Sequence, residues 1–393
     1  MTPAARLSAA IEILDRILVG DPATLVLTNW GRQSRYAGSR DRAAVRDIVY
    51  DCLRKKRSYA APFHKETGRA LVISHAAETT DNWQSLFSGE MYAPAPLSDE
   101  ELSCLGADQV VSDAVRLNYP DFLDREFRRS LGDSFDAVMS ALAERAPVDL
   151  RVNAMRASTT DAISILAADE IEVVEIDGLP NGLRVVQNPR RIAGSQAYRR
   201  GIVELQDASS QAVALFSEAA PGMSILDYCA GGGGKSLALF DMIQGEGRVV
   251  AHDIASVRMN DLPARAARAH ARISIAQPGH AALKPGAFDV VFVDAPCSGT
   301  GSWRRKPDAK WRISEGDLRN LDKVQPEILE RAAGFLKPDG RLIYATCSLL
   351  ARENENRVKQ FIATNPSYRI VKYKTFLPNG PGDGFFVAWV QKG

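Results

Sequence analysis

The chain has 393 residues, of which 45% are hydrophobic and 25% are charged, with 49 basic residues against 48 acidic ones. These proportions are typical of a globular protein of about two or three domains, and they exclude a mostly disordered chain, a collagen and a coiled-coil rod. The near-zero net charge favours no particular class of partner.

The lengths of the apolar segments and the spacing of the cysteines indicate where in the cell the protein is expected. No run approaches the roughly 20 residues of a membrane helix, and Glu12 and Asp15 interrupt the first apolar pattern, which predicts an amphipathic helix instead of a secretory signal. The five cysteines form no CxxC pair, so we expect neither a metal site nor a disulfide framework. A cytoplasmic location follows, because that compartment keeps thiols reduced.

Residues 1–133 are predicted to form a helical domain. The segments IEILDRIL and DRAAVRDIVYDCLRK carry apolar residues at three- and four-residue spacing, the pattern of amphipathic helices. Residues 134–205 follow as a small α+β domain, in which strand-like VDLRVNAM and IEVVEIDGLPNGLRVV flank the helix TTDAISILAAD, with Thr160 as its expected N-cap.

Residues 206–393 alternate between strands and helices. The strand-like segments SILDY, RVVAHD, ISIAQ, FDVVFVDAP and GRLIYATCS are separated by helical ones, which predicts an α/β fold with a mostly parallel, doubly wound sheet. One helix is expected to run to Lys337–Gly340. SYRIVKYKTF and GFFVAWVQK are expected to close the chain as an antiparallel hairpin.

A glycine loop follows the first of these strands. Gly231–Gly234 and Lys235 stand between a strand and a helix, where a backbone without side chains can approach a ligand. Asp253 ends the second strand, about 20 residues beyond Gly233, where an acid binds the ribose of a nucleoside cofactor. Both NAD and S-adenosylmethionine (SAM) satisfy this layout, and the closing hairpin favours SAM by analogy with methyltransferases.

Two cysteines follow neighbouring strands of such a sheet. Cys297 lies in DAPCSGTG after the fourth strand and Cys347 in ATCS at the end of the fifth, so both thiols are expected in one cleft. A thiolate that adds to C6 of cytosine or uracil makes C5 able to attack a methyl donor. Asp294, just before Cys297, is placed to bind the exocyclic amine or ring nitrogen of such a base.

Basic residues form three clusters, the last two with aromatic residues among them. Such mixtures suit nucleic-acid phosphates and stacked bases, and equally a solvated surface. The clusters are Arg54–Arg57, Arg190 and Arg191 with Arg199 and Arg200, and Arg304–Lys306 with Lys310 and Arg312.

Taken together, these motifs resemble the Sun/Fmu (RsmB-like) family of SAM-dependent RNA cytosine-5 methyltransferases. The matching segments are LQDASSQ, LDYCAGGGGK, the acid of AHD, DAPCSGTG, KPDAKW and YATCS. The resemblance implies a NusB-like RNA-binding helical domain at 1–133, a ferredoxin-like domain at 134–205 and a Rossmann-like SAM methyltransferase domain at 206–393.

The resemblance also implies roles for single residues. Cys347 would be the nucleophile and Cys297 would assist product release, whereas DNA cytosine-5 methyltransferases use the cysteine of the PC motif as nucleophile. Asp294 would lie between cofactor and base, and Lys235 would brace Asp294 or the base. The residues implied to hold SAM are Cys229, Ala230, Gly231, Gly232, Gly233, Gly234, Lys235, Asp253 and Asp294.

The chain departs from the family pattern at two places. The family loop usually reads CAAPGGK, and here Gly231 and Gly232 replace its second alanine and its proline, which raises the cost of ordering the loop by about 1 kcal/mol. The family also has an acid after the third strand to accept from the adenine amine, where this chain has Gln277, whose amide oxygen accepts without charge.

The expected function is therefore methyl transfer from SAM to C5 of a cytosine in RNA, with small-subunit rRNA as the favoured substrate. Alternatives are a tRNA or DNA cytosine-5 methyltransferase and an inactive RNA-binding or assembly factor. A dehydrogenase would explain neither thiol. RNA is the expected partner, and we expect a monomer with no metal and no membrane contact.

Overall fold

The computed structural model describes residues 1–105 and 110–393, and this part of the chain divides into two compact units. The helical unit comprises Met1–Arg145 and Trp303–Ile313, and the two-sheet unit comprises Ala146–Ser302 and Ser314–Gly393. The predicted domain boundaries at 133 and 205 stay predictions, and the predicted helical domain includes residues 106–109, which lie outside the described residues.

The helices of the described residues are short to medium in length, and none is both long and apolar enough to cross a membrane. In chain order they are α1 (Pro3–Leu18), α2 (Ala23–Gln33), α3 (Ser39–Arg54), α4 (Lys56–Ala60), α5 (Gly68–Thr79), α6 (Asp99–Leu105), α7 (Asp113–Arg116), α8 (Asp124–Leu131), α9 (Phe135–Ala143), α10 (Thr159–Ala168), α11 (Gln196–Arg199), α12 (Ala208–Leu215), α13 (Gly234–Met242), α14 (Leu262–Ala269), α15 (Pro307–Arg312), α16 (Glu315–Ala333) and α17 (Glu355–Thr364).

The strands all belong to the two-sheet unit. They are β1 (Val148–Val152), β2 (Val173–Glu175), β3 (Gly182–Val185), β4 (Val203–Leu205), β5 (Ser224–Asp227), β6 (Arg248–His252), β7 (Ile273–Ala276), β8 (Phe288–Asp294), β9 (Leu336–Thr346), β10 (Tyr368–Phe376) and β11 (Phe385–Lys392).

The helical unit has an apolar core formed chiefly by α1, α3 and α5. The first of these begins where the Thr2 hydroxyl accepts a hydrogen bond from Ala5 N at 3.1 Å, and Pro3 occupies its first turn. Its buried Leu7, Ala10 and Leu14 recur at three- and four-residue spacing, so one stripe of the helix faces the core.

Residues 303–313 fold as part of the helical unit, although their chain neighbours belong to the other unit. Trp303 is buried and meets Phe127 edge to face, with ring centroids 5.6 Å apart. Lys310 Nζ donates to Arg54 O at 2.8 Å, and Trp311 Nε1 donates to Leu53 O at 2.7 Å. These donors satisfy carbonyls at the C-terminal end of α3, which lack partners within the helix.

This arrangement corrects the expectation for three residues of the first and third basic clusters. Arg54, Arg304 and Lys310 were predicted either to bind nucleic acid or to lie on a solvated surface. Arg304 and Lys310 are buried, and the side chain of Arg54 is only 11% exposed. A local run of basic residues did not reveal that the side chains of Arg54 and Lys310 donate to backbone carbonyls of residues far away in the sequence.

The two-sheet unit contains a four-stranded antiparallel sheet in the order β2-β3-β1-β4 and a seven-stranded sheet in the order β10-β11-β9-β8-β5-β6-β7. In the larger sheet the strands β5 to β9 pair in parallel, while β10 and β11 form the predicted antiparallel hairpin at one edge. The predicted α/β class with a mostly parallel sheet is confirmed.

Two local expectations were wrong. Ser158, and not Thr160, caps α10, because the Ser158 hydroxyl accepts from Asp161 N at 3.1 Å and leaves Thr160 inside the first turn. The segment Lys337–Gly340 was expected to end a helix but lies in β9. A register shift between Phe288 and Val290 of β8 accommodates the additional residues of this strand.

The buried Lys310 predicts how stability depends on pH. Burial, with the charges of Arg54 and Lys56, lowers the pKa of Lys310 to about 7, whereas an unfolded lysine has a pKa of about 10.4. Between these values the unfolded chain binds more protons, so this residue should make the free energy of unfolding rise with pH by up to about 1.4 kcal/mol per pH unit.

Denaturant unfolding of the wild type and of Lys310→Met between pH 7 and 10 should show that the substitution removes this rise. Lys306→Met, at an exposed lysine of the same segment, is the matched control and should keep it. Parallel stability curves for the wild type and Lys310→Met would contradict the assignment.

Candidate active site

The glycine loop makes a tight turn between β5 and α13. Gly231 and Gly233 have φ values of +51° and +78°, in the left-handed region that favours glycine. A Cβ at Gly233 would also overlap the side chain of Leu262. The loop therefore brings its backbone close to α14 and presents the N-terminal end of α13, where N–H groups are free to meet a ligand.

Asp253 meets this loop directly, as the spacing predicted. Its side chain is almost fully buried, with Oδ2 accepting from Gly231 N and Oδ1 from Ala255 N, each at 3.0 Å. Arg258 Nη1 lies 3.2 Å from Oδ2. A carboxylate held between a glycine loop and a strand end is the acceptor that ribose hydroxyls require.

Asp227 is a further acid of the site that the sequence analysis missed. It ends β5 and is fully buried, and its Oδ2 accepts from the Ser236 hydroxyl at 2.6 Å. No partner for Oδ1 is found among the described residues. Burial raises the pKa of Asp227 to about 7. The signal was an acid at a strand end just ahead of the glycine loop.

Lys235 and Asp294 form an ion pair at the other side of the loop. Lys235 Nζ donates to Asp294 Oδ2 at 2.7 Å, and the lysine side chain is only 10% exposed. Burial by itself disfavours the ammonium, but the carboxylate outweighs it and raises the pKa of Lys235 above its usual value. The lysine therefore stays charged and fixes one oxygen of Asp294.

The two predicted cysteines lie side by side. The Sγ atoms of Cys297 and Cys347 are 3.5 Å apart, and both residues are partly exposed. They come together because β8 and β9 are parallel neighbours with Asp294 opposite Ala345. The Ser302 hydroxyl lies 3.9 Å from Cys347 Sγ.

The contact between the thiols makes them chemically different. A hydrogen bond from Cys297 lowers the pKa of Cys347, burial and the charge of Asp294 oppose this shift, and Lys235 supports it. The same hydrogen bond, together with burial, raises the pKa of Cys297. These opposite shifts favour ionisation of Cys347 before Cys297.

The other residues predicted to bind SAM or its adenine lie at the start of the glycine loop and just after β7. Cys229 is partly buried at the start of the loop, where burial raises its pKa, and Ala230 N donates to His252 O at 2.8 Å. Gln277 lies exposed just after β7. The described residues contain no group of three or more His, Cys, Asp or Glu side chains placed to hold a metal ion.

Comparisons with known proteins agree with this geometry. A family model described as 16S rRNA methyltransferase RsmB/F matches residues 214–388, and a model described as Methyltr_RsmF/B-like, ferredoxin-like domain matches residues 119–192. Two relatives named Ribosomal RNA small subunit methyltransferase B are similar. The protein from Enterobacter sp. (strain 638) is 31% identical over 291 residues, covering 70% of this chain and 67% of that protein. The one from Pasteurella multocida (strain Pm70) is 33% identical over 296 residues, covering 70% and 65%.

Solved structures share the fold. The crystal structure of PH0851 superposes over 100% of this chain and 99% of its own, with a TM-score of 0.77 at 21% identity. The structure of NSun6 from Pyrococcus horikoshii with SFG covers 70% of this chain and 98% of its own, with a TM-score of 0.61 at 17% identity.

The sheet order, the glycine loop with Asp253 and these matches define a SAM-dependent methyltransferase. The chain belongs to the RsmB/F family of methyltransferases. SAM is therefore its cofactor, and the residues present fit it. Asp253 offers a buried acceptor at the loop, and Asp227 offers an acceptor oxygen without a partner among the described residues. The tightest part of the turn, where φ is positive, is formed by glycines and so carries no side chain that would block the cofactor.

The glycine loop yields a direct test. Gly233→Ala places a Cβ against Leu262 at a positive φ, so we expect a loss of about 2 kcal/mol or more in the free energy of unfolding and at least tenfold weaker SAM binding. Gly234→Ala is the matched control. Its Cβ meets only the flexible end of Arg265, at 3.5 Å, in the first turn of α13, and stability should change by less than about 1 kcal/mol.

Denaturant unfolding measures the free energy of unfolding of each variant, and isothermal titration measures its affinity for SAM. Equal stability of the two variants would show that the turn tolerates a side chain at Gly233.

Proposed function

We propose that this chain transfers a methyl group from SAM to C5 of a cytosine in RNA, specifically in small-subunit rRNA, through a covalent bond between Cys347 and C6 of the base. The observation that carries the proposal is the pair of thiols 3.5 Å apart at neighbouring strand ends, next to the ion pair of Lys235 and Asp294. The relatives named for small-subunit ribosomal RNA support the choice of substrate.

Cys347 performs the first step. Its thiolate attacks C6, and the electrons of the C5–C6 double bond shift so that C5 becomes nucleophilic. Lys235 holds Oδ2 of Asp294, so Asp294 offers Oδ1 to the exocyclic amine or ring nitrogen of the base. When bound, SAM supplies the electrophilic methyl group that C5 takes.

Cys297 serves the release of the product. While Cys347 is a thiolate, its hydrogen bond and its charge keep the proton on Cys297. Once Cys347 is bonded to carbon this influence ends, so Cys297 can release its proton to solvent, and its thiolate can then accept the proton from C5. Loss of the C5 proton restores the C5–C6 double bond, and the electrons of the C6–S bond return to Cys347.

The target base must be unpaired or flipped out, because C6 and C5 are not accessible to a thiol inside a duplex. A loop or a partly folded stretch of rRNA meets this requirement. Arg199 and Arg200 of the second basic cluster are exposed, which suits contacts with the RNA backbone. The thiols also require a reducing compartment, consistent with action in the cytoplasm.

Covalent trapping tests the proposal. Cys297→Ala should accumulate a slowly migrating, RNase-sensitive species on a denaturing gel when small-subunit rRNA and SAM are present, because Cys347 still attacks but release fails. Cys347→Ala should give no adduct and no methyl transfer while its SAM affinity stays near that of the wild type. Cys104→Ala, a partly exposed thiol of the helical unit, should behave as the wild type.

Other outcomes have definite meanings. An adduct formed only by Cys347→Ala would reverse the roles of the thiols. Trapping of tRNA or DNA in place of rRNA would correct the substrate. SAM binding with neither adduct nor methyl transfer for any of these polymers would favour an inactive assembly factor.

A further inference from the structure

Glu353 is a buried carboxylate that the mechanism above does not use. It lies between β9 and α17, six residues beyond Cys347, and only 1% of its surface is exposed. None of the ion pairs among the described residues includes it. A buried carboxylate without a cationic partner is costly unless hydrogen bonds satisfy its oxygens, so its partners indicate why it is there.

Those partners are the residues that directly follow the two cysteines. Glu353 Oε2 accepts from the hydroxyls of Ser298 and Ser348, each at 2.5 Å, and Oε1 accepts from Ser298 N at 2.9 Å. Ser298 follows Cys297 and Ser348 follows Cys347. One carboxylate therefore holds both thiol-bearing loops at the position next to each sulfur.

The side chain of Gln325 also holds the Glu353 carboxylate in place. Gln325 Nε2, from α16, donates to Glu353 Oε1 at 3.0 Å and to Pro296 O at 3.0 Å. Both oxygens of Glu353 thus receive two donors each, all of them uncharged. A carboxylate accepts at both oxygens, whereas the glutamine that matches its shape turns an NH₂ group towards donors. The four donors therefore suit a carboxylate better than an amide at this position.

We propose, on the basis of the function proposed above, that Glu353 is a positioning residue that sets the spacing of Cys297 and Cys347. It draws the loop after β8 and the loop after β9 onto one carboxylate, so that the two sulfur atoms stay in contact. Its negative charge also helps to keep the proton on Cys297, whose Sγ lies 3.5 Å from that of Cys347.

The spacing of the thiols can be measured without RNA or methyl transfer. Diamide oxidises two adjacent thiols to a disulfide and is itself reduced to a hydrazine, so the rate of the Cys297–Cys347 cross-link reports how often the sulfurs meet. Glu353→Gln should slow this cross-link at least tenfold. Loss of the negative charge of Glu353 would by itself make the thiols ionise more readily and speed the cross-link. A slower cross-link therefore shows that the sulfur atoms have moved apart.

Glu355→Gln is the matched control. The same chemical change two residues along, in the first turn of α17, should leave the cross-linking rate within twofold of the wild type. If Glu353→Gln does not fold, Ser348→Ala replaces it and should also slow the cross-link. This variant removes the link between Glu353 and the loop of Cys347, together with the contacts of the same hydroxyl to Ser298, Thr300 and Leu350 N.

Methyl transfer gives the second readout. Glu353→Gln should lower kcat at least tenfold, while the KM for RNA and the Kd for SAM change less than threefold. A wild-type cross-linking rate in the variants would overturn the positioning role. If the wild type transfers no methyl group, the proposed function is overturned. The cross-linking rates, which need neither RNA nor SAM, then still show whether Glu353 sets the spacing of the thiols.

Discussion

The parallel pairing of β8 with β9 is the constraint on which the site depends. Because Asp294 lies opposite Ala345, the loops that follow the two strands begin at the same level of the sheet. The sulfur atoms then meet at 3.5 Å although fifty positions of the chain separate them. A slip of one residue in this pairing would turn every side chain of one strand to the opposite face and would separate the thiols.

The charges around these strand ends affect both cofactor binding and the ionisation of the thiols. Three acids lie at these strand ends: Asp227 ends β5, Asp253 follows β6 and Asp294 ends β8. Lys235 pairs with Asp294 and Arg258 pairs with Asp253, so among the described residues one more carboxylate than cation is present. This excess of carboxylates favours a positively charged ligand, and the sulfonium of SAM carries such a charge. The lysine lies where it opposes the effect of Asp294 on Cys347, so cofactor affinity and thiol ionisation share the same few charges.

Features that depend on local spacing could be predicted from the sequence. The alternation of strands and helices, the glycine loop with Asp253 and the cysteines at two strand ends all follow from residues close together in the chain. Glu353 was missed because the residues that explain its position, Ser298 and Gln325, lie in the loop after β8 and in α16, far from it in sequence. Lys310 was misassigned for the same reason, since its partner Arg54 is distant in sequence. The start of β9 was missed because its first residues pair with β8 across a register shift, which local residue preferences do not reveal.

The helical unit has a consequence for how the protein is made. Trp311 packs on its core and Trp303 on Phe127, yet both residues come from the second half of the chain. On the ribosome, at about 5–20 residues per second, roughly ten seconds or more pass between the synthesis of α9 and the synthesis of α15. During that interval the nascent helices keep an uncovered apolar face and unsatisfied carbonyls at the end of α3. The N-terminal region therefore completes its folding only after most of the chain has emerged, and chaperones that shield apolar surface have a defined period in which to act.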